Sequence, residues 1–378
     1  MDLPCVWDAP RPYVHPLTTP AGAVLTVEAP ADHPWHHALW FTIKFVNGEN
    51  FWEEYGEFGT LRTIATNEST SVDGSIQEVV ARLQWIAPDG ETVRAGETRT
   101  IRTTPLDADA YAIDWTESLQ FPVIEPVTDT VLDRTPFTTW GGYGGLTLRG
   151  APDLTDTVIR LADGTDRDRA LGDPSPWLSI EGTPHTWTQT SQPTTQAPTP
   201  SRSAAEASRS EASRPTTREP TPSGRPEMTE ASRSEASRPT TREPTPSGRP
   251  EMTEASRSGA LTPEPQRSGG EQVGSVPTCH ASTDTERTTR QAVRADKQAG
   301  IVIFDHPDNP RSPSPWYAST KADTYGDGWA NFVNAAFLWD DPLTLAANES
   351  LDLAYRVIVH DGQWDTDRIG AEYARWIG

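Results

Sequence analysis

The chain has 378 residues, with 54 Asp and Glu against 32 Lys and Arg, which gives a formal net charge of −22 at pH 7. Such an acidic chain argues against nucleic acid or an anionic membrane surface as a partner. No stretch approaches the about 18 consecutive apolar residues of a membrane span, and the first residues show no signal-peptide pattern. We therefore expect a cytoplasmic protein.

The type of charge is also unusual. Lysine occurs only at Lys44, Lys297 and Lys321, and arginine carries nearly all of the positive charge. A high acid content with few lysines is typical of a salt-adapted, halophilic organism, in which an acidic surface maintains solubility, while a GC-rich genome would also favour arginine codons. The only cysteines, Cys5 and Cys279, are too few for a disulfide framework or a zinc site, so we expect no metal and no cofactor.

The folded part of the chain is predicted to consist mainly of strands, because apolar and polar residues alternate with period two. The alternation is clearest over residues 79–85, 111–121 and 351–359. The turn signal Pro-Asp-Gly at 88–90 leads into a predicted strand over 92–103 and so forms a hairpin. The remaining predicted strands are, in chain order, Ala23–Glu28, Ala38–Val46, Leu146–Arg149, Thr157–Ala162, Trp177–Glu181 and Gly300–Phe304.

A long insert interrupts this pattern between residues 191 and 276. It is rich in Ser, Thr, Pro, Arg and Glu, and residues 206–229 are repeated letter for letter at 230–253. Each repeat offers one Met and two Ala as apolar residues, which is too little to offset the chain entropy of folding. We expect a disordered insert that enlarges the connection between two strands of one domain, whose two parts are residues 1–190 and 277–378.

Strands at short spacing without intervening helices favour an all-β fold, a large antiparallel β-sandwich, over an α/β fold. The clearest helix signal lies at the C-terminus, from Asp365 to Trp376. Asp365 can cap this helix, and Ile369, Tyr373 and Trp376 fall on one face. We therefore expect a sandwich that carries a short C-terminal helix.

Histidine is concentrated near two Asp-His-Pro triplets, one within DHPWHH at 32–37 and one at 305–307. Three roles are open for these imidazoles. They can bind or transfer a proton to a substrate, they can bind a transition metal, or they can belong to tight turns in which Asp accepts from backbone N–H groups and Pro fixes φ.

The positions of the histidines divide them into two pairs with different roles. The turn is favoured for His33 and His306, because each precedes a proline. A role in a substrate pocket is open for His36 and His37, which would point to opposite faces of a strand. No metal-ligand spacing such as H-x-H or H-E-x-x-H occurs among these residues. The candidate catalytic residues are His36, His37, Asp305 and His306.

A second group of candidates surrounds the glycine-rich segment WGGYGG at 140–145. It lacks the Lys and Ser/Thr of a phosphate-binding loop, so it is interpreted either as a bulged strand entry or as a wall on which an aromatic ring stacks against a ligand. Aromatic rings beside Asp, Asn and Arg are typical of sugar sites. The candidate substrate-binding residues are Trp140, Tyr143, Arg149, Arg311, Trp316 and His360.

Five segments also resemble a known family in their order along the chain. They read RPYVHPLTTPAG, DHPWHHALWF, VNGENFW, IVIFDHPDNPRSPSPWY and PLTLAANESLDLAYRVIVHDG. Together they resemble the bacterial and archaeal family named methane oxygenase PmoA, a domain of unknown function. The resemblance implies a β-sandwich of the galactose-mutarotase kind and a link to sugar metabolism. Relatives carry an acidic residue near the position of Tyr143, so a catalytic base at that position would be missing here.

These observations favour a carbohydrate-binding or carbohydrate-processing protein in which a histidine transfers a proton. The partner would be a small-molecule ligand, with no nucleic acid and no membrane. Two alternatives stay open, namely an oxygenase-related or metal-binding protein, as the family name implies, and a non-catalytic binding module. The hypothesis of one site requires that the segments 32–37, 140–149, 305–316 and His360 meet on one face of the sandwich.

Deleting residues 199–270 should leave the thermal unfolding transition nearly unchanged, because shortening a flexible loop alters its closure entropy only slightly. The measurement is the melting temperature of the full chain and of the deletion variant by circular dichroism. Loss of cooperative unfolding in the variant would show that the insert belongs to the folded structure.

Overall fold

The computed structural model describes residues 3–122, 128–134, 143–187, 297–320 and 331–378. Within these ranges the chain forms many β-strands and one α-helix, α1. The elements are β1 Cys5–Val6, β2 Tyr13–Val14, β3 Leu39–Ile43, β4 Phe45–Val46, β5 Glu49–Asn50, β6 Thr60–Thr70, β7 Gln77–Ile86, β8 Val93–Pro105, β9 Ala110–Gln120, β10 Thr130–Asp133, β11 Gly144–Arg149, β12 Leu154–Leu161, β13 Asp166–Arg167, β14 Arg169–Pro174, β15 Trp177–Pro184, β16 Ala299–Asp305, β17 Pro315–Ser319, β18 Phe332–Ala335, β19 Leu343–Leu345, β20 Ser350–Asp361 and α1 Thr366–Ile377.

The strands form three antiparallel sheets. A nine-stranded sheet has the order β13-β12-β15-β16-β20-β9-β8-β7-β6, and a seven-stranded sheet has the order β1-β2-β3-β11-β18-β17-β14. A smaller sheet of four strands has the order β19-β10-β4-β5. The predicted all-β antiparallel sandwich is therefore confirmed, while the finer likeness to the galactose-mutarotase fold remains an expectation.

The two large sheets pack face to face around one apolar core. Alternating side chains of β3, among them Leu39 and Phe41, contribute to this core, as do Leu353 and Val357 of β20 in the other sheet. The sheets approach closely at Gly145, where a Cβ atom would lie 3.1 Å from the Tyr355 hydroxyl and 2.3 Å from the Ala335 carbonyl oxygen. A side chain at Gly145 would therefore disturb the packing of the two layers.

The C-terminal helix covers the outer face of the nine-stranded sheet. Asp365 caps the helix, since its side chain accepts a hydrogen bond from the backbone N–H of Arg368 at 2.8 Å, as the sequence predicts. Ile369 is buried, and Tyr373 and Trp376 pack beside it against Phe304 of the sheet. The helix is thus held by its apolar face, because a helix of this length is marginal alone.

Most strands lie where the alternation predicts them. β15 pairs with β16, so the two strands predicted to flank the insert are neighbours in one sheet. The predicted disorder and repeats of the insert fall on residues outside the described ranges, as does the extent of the connection. The prediction of a strand at Ala23–Glu28 is wrong. This segment forms only isolated bridges, with Thr18, Trp187, Gly150 and His37 as partners.

A charged cluster lies inside the sandwich. Glu97 and Arg99 of β8 and Glu117 of β9 are all buried on the core side of the nine-stranded sheet. The Arg99 Nε lies 2.8 Å from a carboxylate oxygen of each glutamate, and its Nη1 donates to the Pro12 carbonyl at 2.9 Å. The cluster therefore links two neighbouring strands to the N-terminal segment.

Two tryptophans complete this cluster. The indole N–H of Trp85 donates to Glu97 and that of Trp115 donates to Glu117, each at 2.6 Å. Burial raises the pKa of Glu117 well above its usual value, although Arg99 opposes that shift. The Arg99 guanidinium between the two carboxylates offsets part of the cost of burying them.

Substituting Arg99→Ala should destabilise the fold by about 3–5 kcal/mol, because two buried glutamates would lose their only cation among the described residues. The matched control is Arg102→Ala on the same strand, whose side chain is exposed and lies 3.9 Å from Glu78, and it should cost less than about 1 kcal/mol. Urea unfolding of both variants gives the comparison. Equal costs for the two would contradict a stabilising role of the cluster.

Candidate functional site

The outer face of the seven-stranded sheet carries a layer of aromatic and polar side chains. Leu146 and Leu148 of β11 point into the core, so Thr147 and Arg149 point to the opposite face. The same alternation places Trp40 of β3 on that outer face. The layer there consists of Trp40, Trp52, Tyr143, Tyr317, Phe332 and Ala336, with Tyr13, Trp35 and Trp339 packed at its margin.

A loop over residues 28–37, called the histidine loop below, lies against this layer. It is closed by an antiparallel bridge between Glu28 and His37 and by a hydrogen bond from the Ala29 N–H to the His36 carbonyl at 2.9 Å. The His36 N–H in turn donates to the His33 carbonyl at 2.9 Å. These backbone contacts form a tight turn, and His33 belongs to it, as predicted, through its carbonyl group.

Arg149 attaches the histidine loop to the sheet. Its Nη2 donates to the Asp32 Oδ2 at 2.9 Å, and its Nη1 lies 3.3 Å from the His36 Nδ1. Arginine can only donate, so the His36 Nδ1 must accept and the ring proton must lie on Nε2. The Asp32 Oδ2 also accepts from the His33 Nδ1 at 2.7 Å, which leaves the lone pair of neutral His33 on Nε2.

The environment keeps both imidazoles of this cluster neutral. Burial lowers the pKa of His36 well below 6.5, and the neighbouring His33 and Arg149 lower it further. Burial also lowers the pKa of His33, although the hydrogen bond to Asp32 opposes that shift. The rings of His33 and His36 are stacked, with centroids 4.7 Å apart. At neutral pH the cluster therefore has one cation, one carboxylate and two neutral rings.

His37 points the other way, as expected for neighbours on an extended segment. Its Nε2 lies 2.8 Å from the Glu54 Oε1 and its Nδ1 lies 3.6 Å from the Glu28 Oε1, while its ring stacks on Tyr13 at 5.1 Å. Buried Arg11 approaches the same Glu54 oxygen at 3.8 Å, and burial lowers the pKa of Arg11 to about 10. The histidine loop thus contributes to a second ionisable cluster.

Residues 50–55 form the opposite side of the site. Asn50 organises this segment, because its side chain accepts from the N–H groups of Trp52 and Glu53 at 2.8 and 3.2 Å. Trp52 stacks on Tyr143 with centroids 4.6 Å apart, and the Lys44 ammonium pairs with Glu53. The segment therefore adds carboxylates beside the aromatic layer.

The two sides meet through ring contacts. The His36 and Trp52 rings have centroids 6.2 Å apart, and the Trp35 ring meets the Tyr55 ring edge-on at 5.1 Å. Tyr55 is 63% exposed and is the only aromatic residue among the exposed large apolar residues in the described part of the chain. The pair Trp35–Tyr55 therefore offers an accessible aromatic surface next to the Asp32–His33 pair.

Several predicted site residues lie elsewhere. Asp305 is buried at the end of β16, where it accepts from the Asn309 side chain and the Ser314 N–H at 2.8 Å each, and burial raises its pKa. His306 meets the edge of Trp376 on α1 at 5.1 Å. The second Asp-His-Pro triplet does not join the cluster of Arg149, because Asp305 binds within its own turn and His306 packs against the C-terminal helix.

Arg311 and Trp316 also have local partners. The Arg311 guanidinium donates to the backbone carbonyls of Phe337, Asp341 and Pro342. Trp316 lies fully buried in the core between the sheets, and its indole N–H donates to the Ser175 carbonyl at 2.8 Å. Neither side chain reaches the outer layer, so the structure does not support the expectation that they contact a ligand there.

His360 lies on the outer face of the nine-stranded sheet, away from Arg149. Its ring stacks on Trp364 at 4.7 Å, its Nδ1 donates to the Gly362 carbonyl at 3.1 Å, and its Nε2 lies 3.6 Å from the Glu181 Oε1. Burial lowers its pKa to about 4. The structure therefore brings His36, Arg149 and Tyr143 to the same outer face, whereas His360 lies on the other sheet.

Two predicted site residues remain. Trp140 lies outside the described residues. His37 contacts Glu54 on the side of the histidine loop that faces away from Arg149. The sequence-based candidates omitted Lys44, Glu53 and Glu54. The two glutamates could have been found from the segment WEEYGEF at 52–58, in which acidic and aromatic residues are mixed.

The fold and this site define an antiparallel β-sandwich protein with a layer of histidine, carboxylate and aromatic side chains on one outer face. A family model matches residues 5–222 and 250–374, and its description is a family of unknown function, DUF6807. The chain therefore belongs to this family. The resemblance to the PmoA family inferred from the motifs is wrong, because the family that matches is DUF6807. No curated protein and no solved structure matches the chain.

Two further observations concern the described residues alone. None of the helical segments in the described ranges has the length and apolar character needed to cross a membrane. In the same part of the chain, no group of three or more His, Cys, Asp or Glu is arranged to hold a metal ion. The absence of a metal and of a cofactor remains a prediction.

The neutral state of His36 should make the protein less stable as the pH falls below 6.5. The unfolded chain then takes up a proton that folded His36 does not, so the free energy of unfolding falls by up to about 1.4 kcal/mol per pH unit for each such histidine. His36→Phe keeps the ring contacts and removes the titration. Urea unfolding between pH 7 and 5 should therefore give a shallower slope for this variant, and an unchanged slope would contradict the assignment.

Proposed function

We propose that the outer-face site binds a carbohydrate and that the Asp32–His33 pair transfers a proton at the bound sugar. The observation that carries the proposal is the double use of the Asp32 carboxylate, which accepts from both His33 and Arg149. Arg149 supplies the opposite charge to this carboxylate, and the carboxylate fixes the His33 proton on Nδ1. His33 then has the tautomer and orientation of a general base.

The aromatic surface supports a sugar as the ligand. Sugars combine apolar faces with a rim of hydroxyl groups, so they bind where an accessible ring adjoins hydrogen-bonding side chains. Trp35 and Tyr55 supply such rings, and Asp32, Glu53 and Glu54 supply acceptors beside them. The sugar hydroxyl groups would donate to these carboxylates.

The proposal moves the proton-transfer role from His36 to His33. His36 is fully buried and its Nδ1 accepts from Arg149, so its ring contributes to the position of the guanidinium. His33 is partly exposed and its Nε2 carries the lone pair. A proton taken from a sugar hydroxyl would reach this nitrogen, and the resulting imidazolium would be stabilised by the ionised Asp32.

Interconversion of the anomers of a free sugar is the simplest reaction that fits. His33 would take the proton of the anomeric hydroxyl, the bond between C1 and the ring oxygen would break as the C1 carbonyl forms, and the imidazolium would return the proton to the ring oxygen. Ring closure on the other face of the carbonyl would reverse these steps, so no other reactant is consumed. The oxygenase alternative depended on the PmoA resemblance, and the family match removes that support. A cytoplasmic location is part of the proposal, as is the small-molecule ligand. If sugars bind but no turnover is detected, the protein is a non-catalytic sugar-binding module.

The experiment has two parts. Sugars that bind should raise the melting temperature in a concentration-dependent way, and exchange between their anomers should then be followed by NMR with and without protein. His33→Gln should retain the thermal shift and lose most of the exchange rate, on the order of a hundredfold. The control is His185→Gln, the same substitution at an exposed histidine, which should behave as the parent protein.

The pH dependence offers an independent check. Since the pKa of His33 is lowered from 6.5, the neutral base should be present throughout the range above pH 6.5. The exchange rate due to the protein should therefore be constant from pH 7 to 8 and fall only below pH 6.5. A rate that rises steeply above pH 7 would contradict His33 as the base, and absence of any sugar-dependent shift would contradict the proposed function as a whole.

A further inference from the structure

Five ion pairs of the site share one arrangement, in which the carboxylate is accessible and its basic partner is buried. The carboxylate side chains are 16–33% exposed, whereas the basic side chains are 0–5% exposed. The pairs are Arg11–Glu54, His37–Glu54, His37–Glu28, Lys44–Glu53 and Arg149–Asp32. In a sixth pair, His33–Asp32, the two side chains are 21% and 19% exposed.

Elsewhere in the described chain, either the basic side chain of an ion pair is at least 17% exposed or both side chains are buried. In the pair Arg94–Glu49 the two side chains are 24% and 26% exposed, so neither covers the other. In the pair Arg160–Glu181 the carboxylate is the buried member. A ligand that approaches the outer-face site therefore meets carboxylate oxygens first, whereas the balancing cations are out of its reach.

Electrostatics at such a surface favours one sign of ligand. A carboxylate or phosphate group would approach Asp32, Glu53 and Glu54 without access to Arg149 or Lys44, so it would be repelled. An ammonium group could donate to several of these carboxylates at once. The accessible rings of Trp35 and Tyr55 would add to the attraction, since aromatic faces also favour cations.

A second observation points to a missing polar partner in the same cluster. The His37 Nε2 donates to Glu54, and its Nδ1 lies 3.6 Å from the Glu28 Oε1, which is longer than a hydrogen bond. This Nδ1 is buried and has no hydrogen-bond partner among the described residues. A polar group of a ligand that binds at Glu28 would therefore lie beside a ring nitrogen that lacks a partner.

We propose that the ligand of this site is an amino sugar, which binds in preference to neutral sugars and to acidic or phosphorylated sugars. The inference deepens the proposed function and rests on it. The ammonium group would lie among the carboxylates of Glu28, Glu53 and Glu54, and the apolar face of the ring would lie on Trp35 and Tyr55.

The test compares sugars that differ only in charge. Glucosamine, glucose and glucuronate form one set, and galactosamine, galactose and galacturonate form a second set of different stereochemistry. Affinities measured by calorimetry should be about fivefold or more tighter for the amine than for the neutral sugar in at least one set, and weakest for the acid. Added salt should weaken amine binding and leave neutral binding unchanged.

Charge-removing variants locate the effect. Glu53→Gln and Glu28→Gln should each lower the affinity for the amine about threefold more than the affinity for the neutral sugar. Two variants are used so that misfolding of one still leaves a result. Glu78→Gln, on the outer face of the nine-stranded sheet, removes the same charge far from the site and should leave the preference intact.

The outcomes separate this inference from the proposed function. Equal or tighter binding of neutral or acidic sugars would overturn the amino-sugar inference and leave sugar binding in place. A preference that persists in both site variants but is lost in Glu78→Gln would also overturn it, because the preference would then come from the overall charge of the protein. Failure of every sugar to bind would overturn the proposed function and this inference with it.

Discussion

The site depends on one buried cation. Arg149 lies on β11 in the middle of the seven-stranded sheet and is 2% exposed, so its charge must be compensated within the protein. An uncompensated buried guanidinium would cost several kcal/mol. Asp32 supplies the compensating carboxylate and His36 supplies a second acceptor, so the requirement to neutralise Arg149 fixes the position of the histidine loop. The acid–base chemistry proposed for His33 follows from that structural requirement, since the same carboxylate orients both groups.

A second buried arginine shows what a purely structural network looks like in this protein. Arg99 lies between the sheets, and the carboxylates of Glu97 and Glu117 are as buried as the arginine itself. Two indole N–H groups and a backbone carbonyl take part in the same network, so solvent and ligand have no access to it. The cluster of Arg149 differs because its carboxylate side is partly exposed. Exposure of one member, more than the presence of charge, distinguishes the candidate site from the internal cluster.

The sequence predicts the strands well and the networks poorly, for one physical reason. Period-two alternation marks which residues share a face, and it correctly placed Trp115 and Leu119 of β9 on the core side. Glu117 lies between them with the same orientation, but a glutamate gives no sign from sequence that it is buried against an arginine of the next strand. The prediction of one site from four polar segments failed for a similar reason. Asp305 accepts from the backbone of its own turn, whereas Arg311 donates to backbone carbonyls of a distant segment, and neither use can be read from residue type.

Alternation also explains why one short segment serves two clusters. His36 and His37 are neighbours in an extended stretch, so their rings point to opposite sides, one toward Arg149 and one toward Glu54. The bridge between Glu28 and His37 closes the loop and brings a further carboxylate to the second cluster. Both clusters are built on the same closed loop, so the position of that loop determines the contacts of both. The two clusters are therefore best regarded as one site with a buried basic layer and an accessible acidic surface.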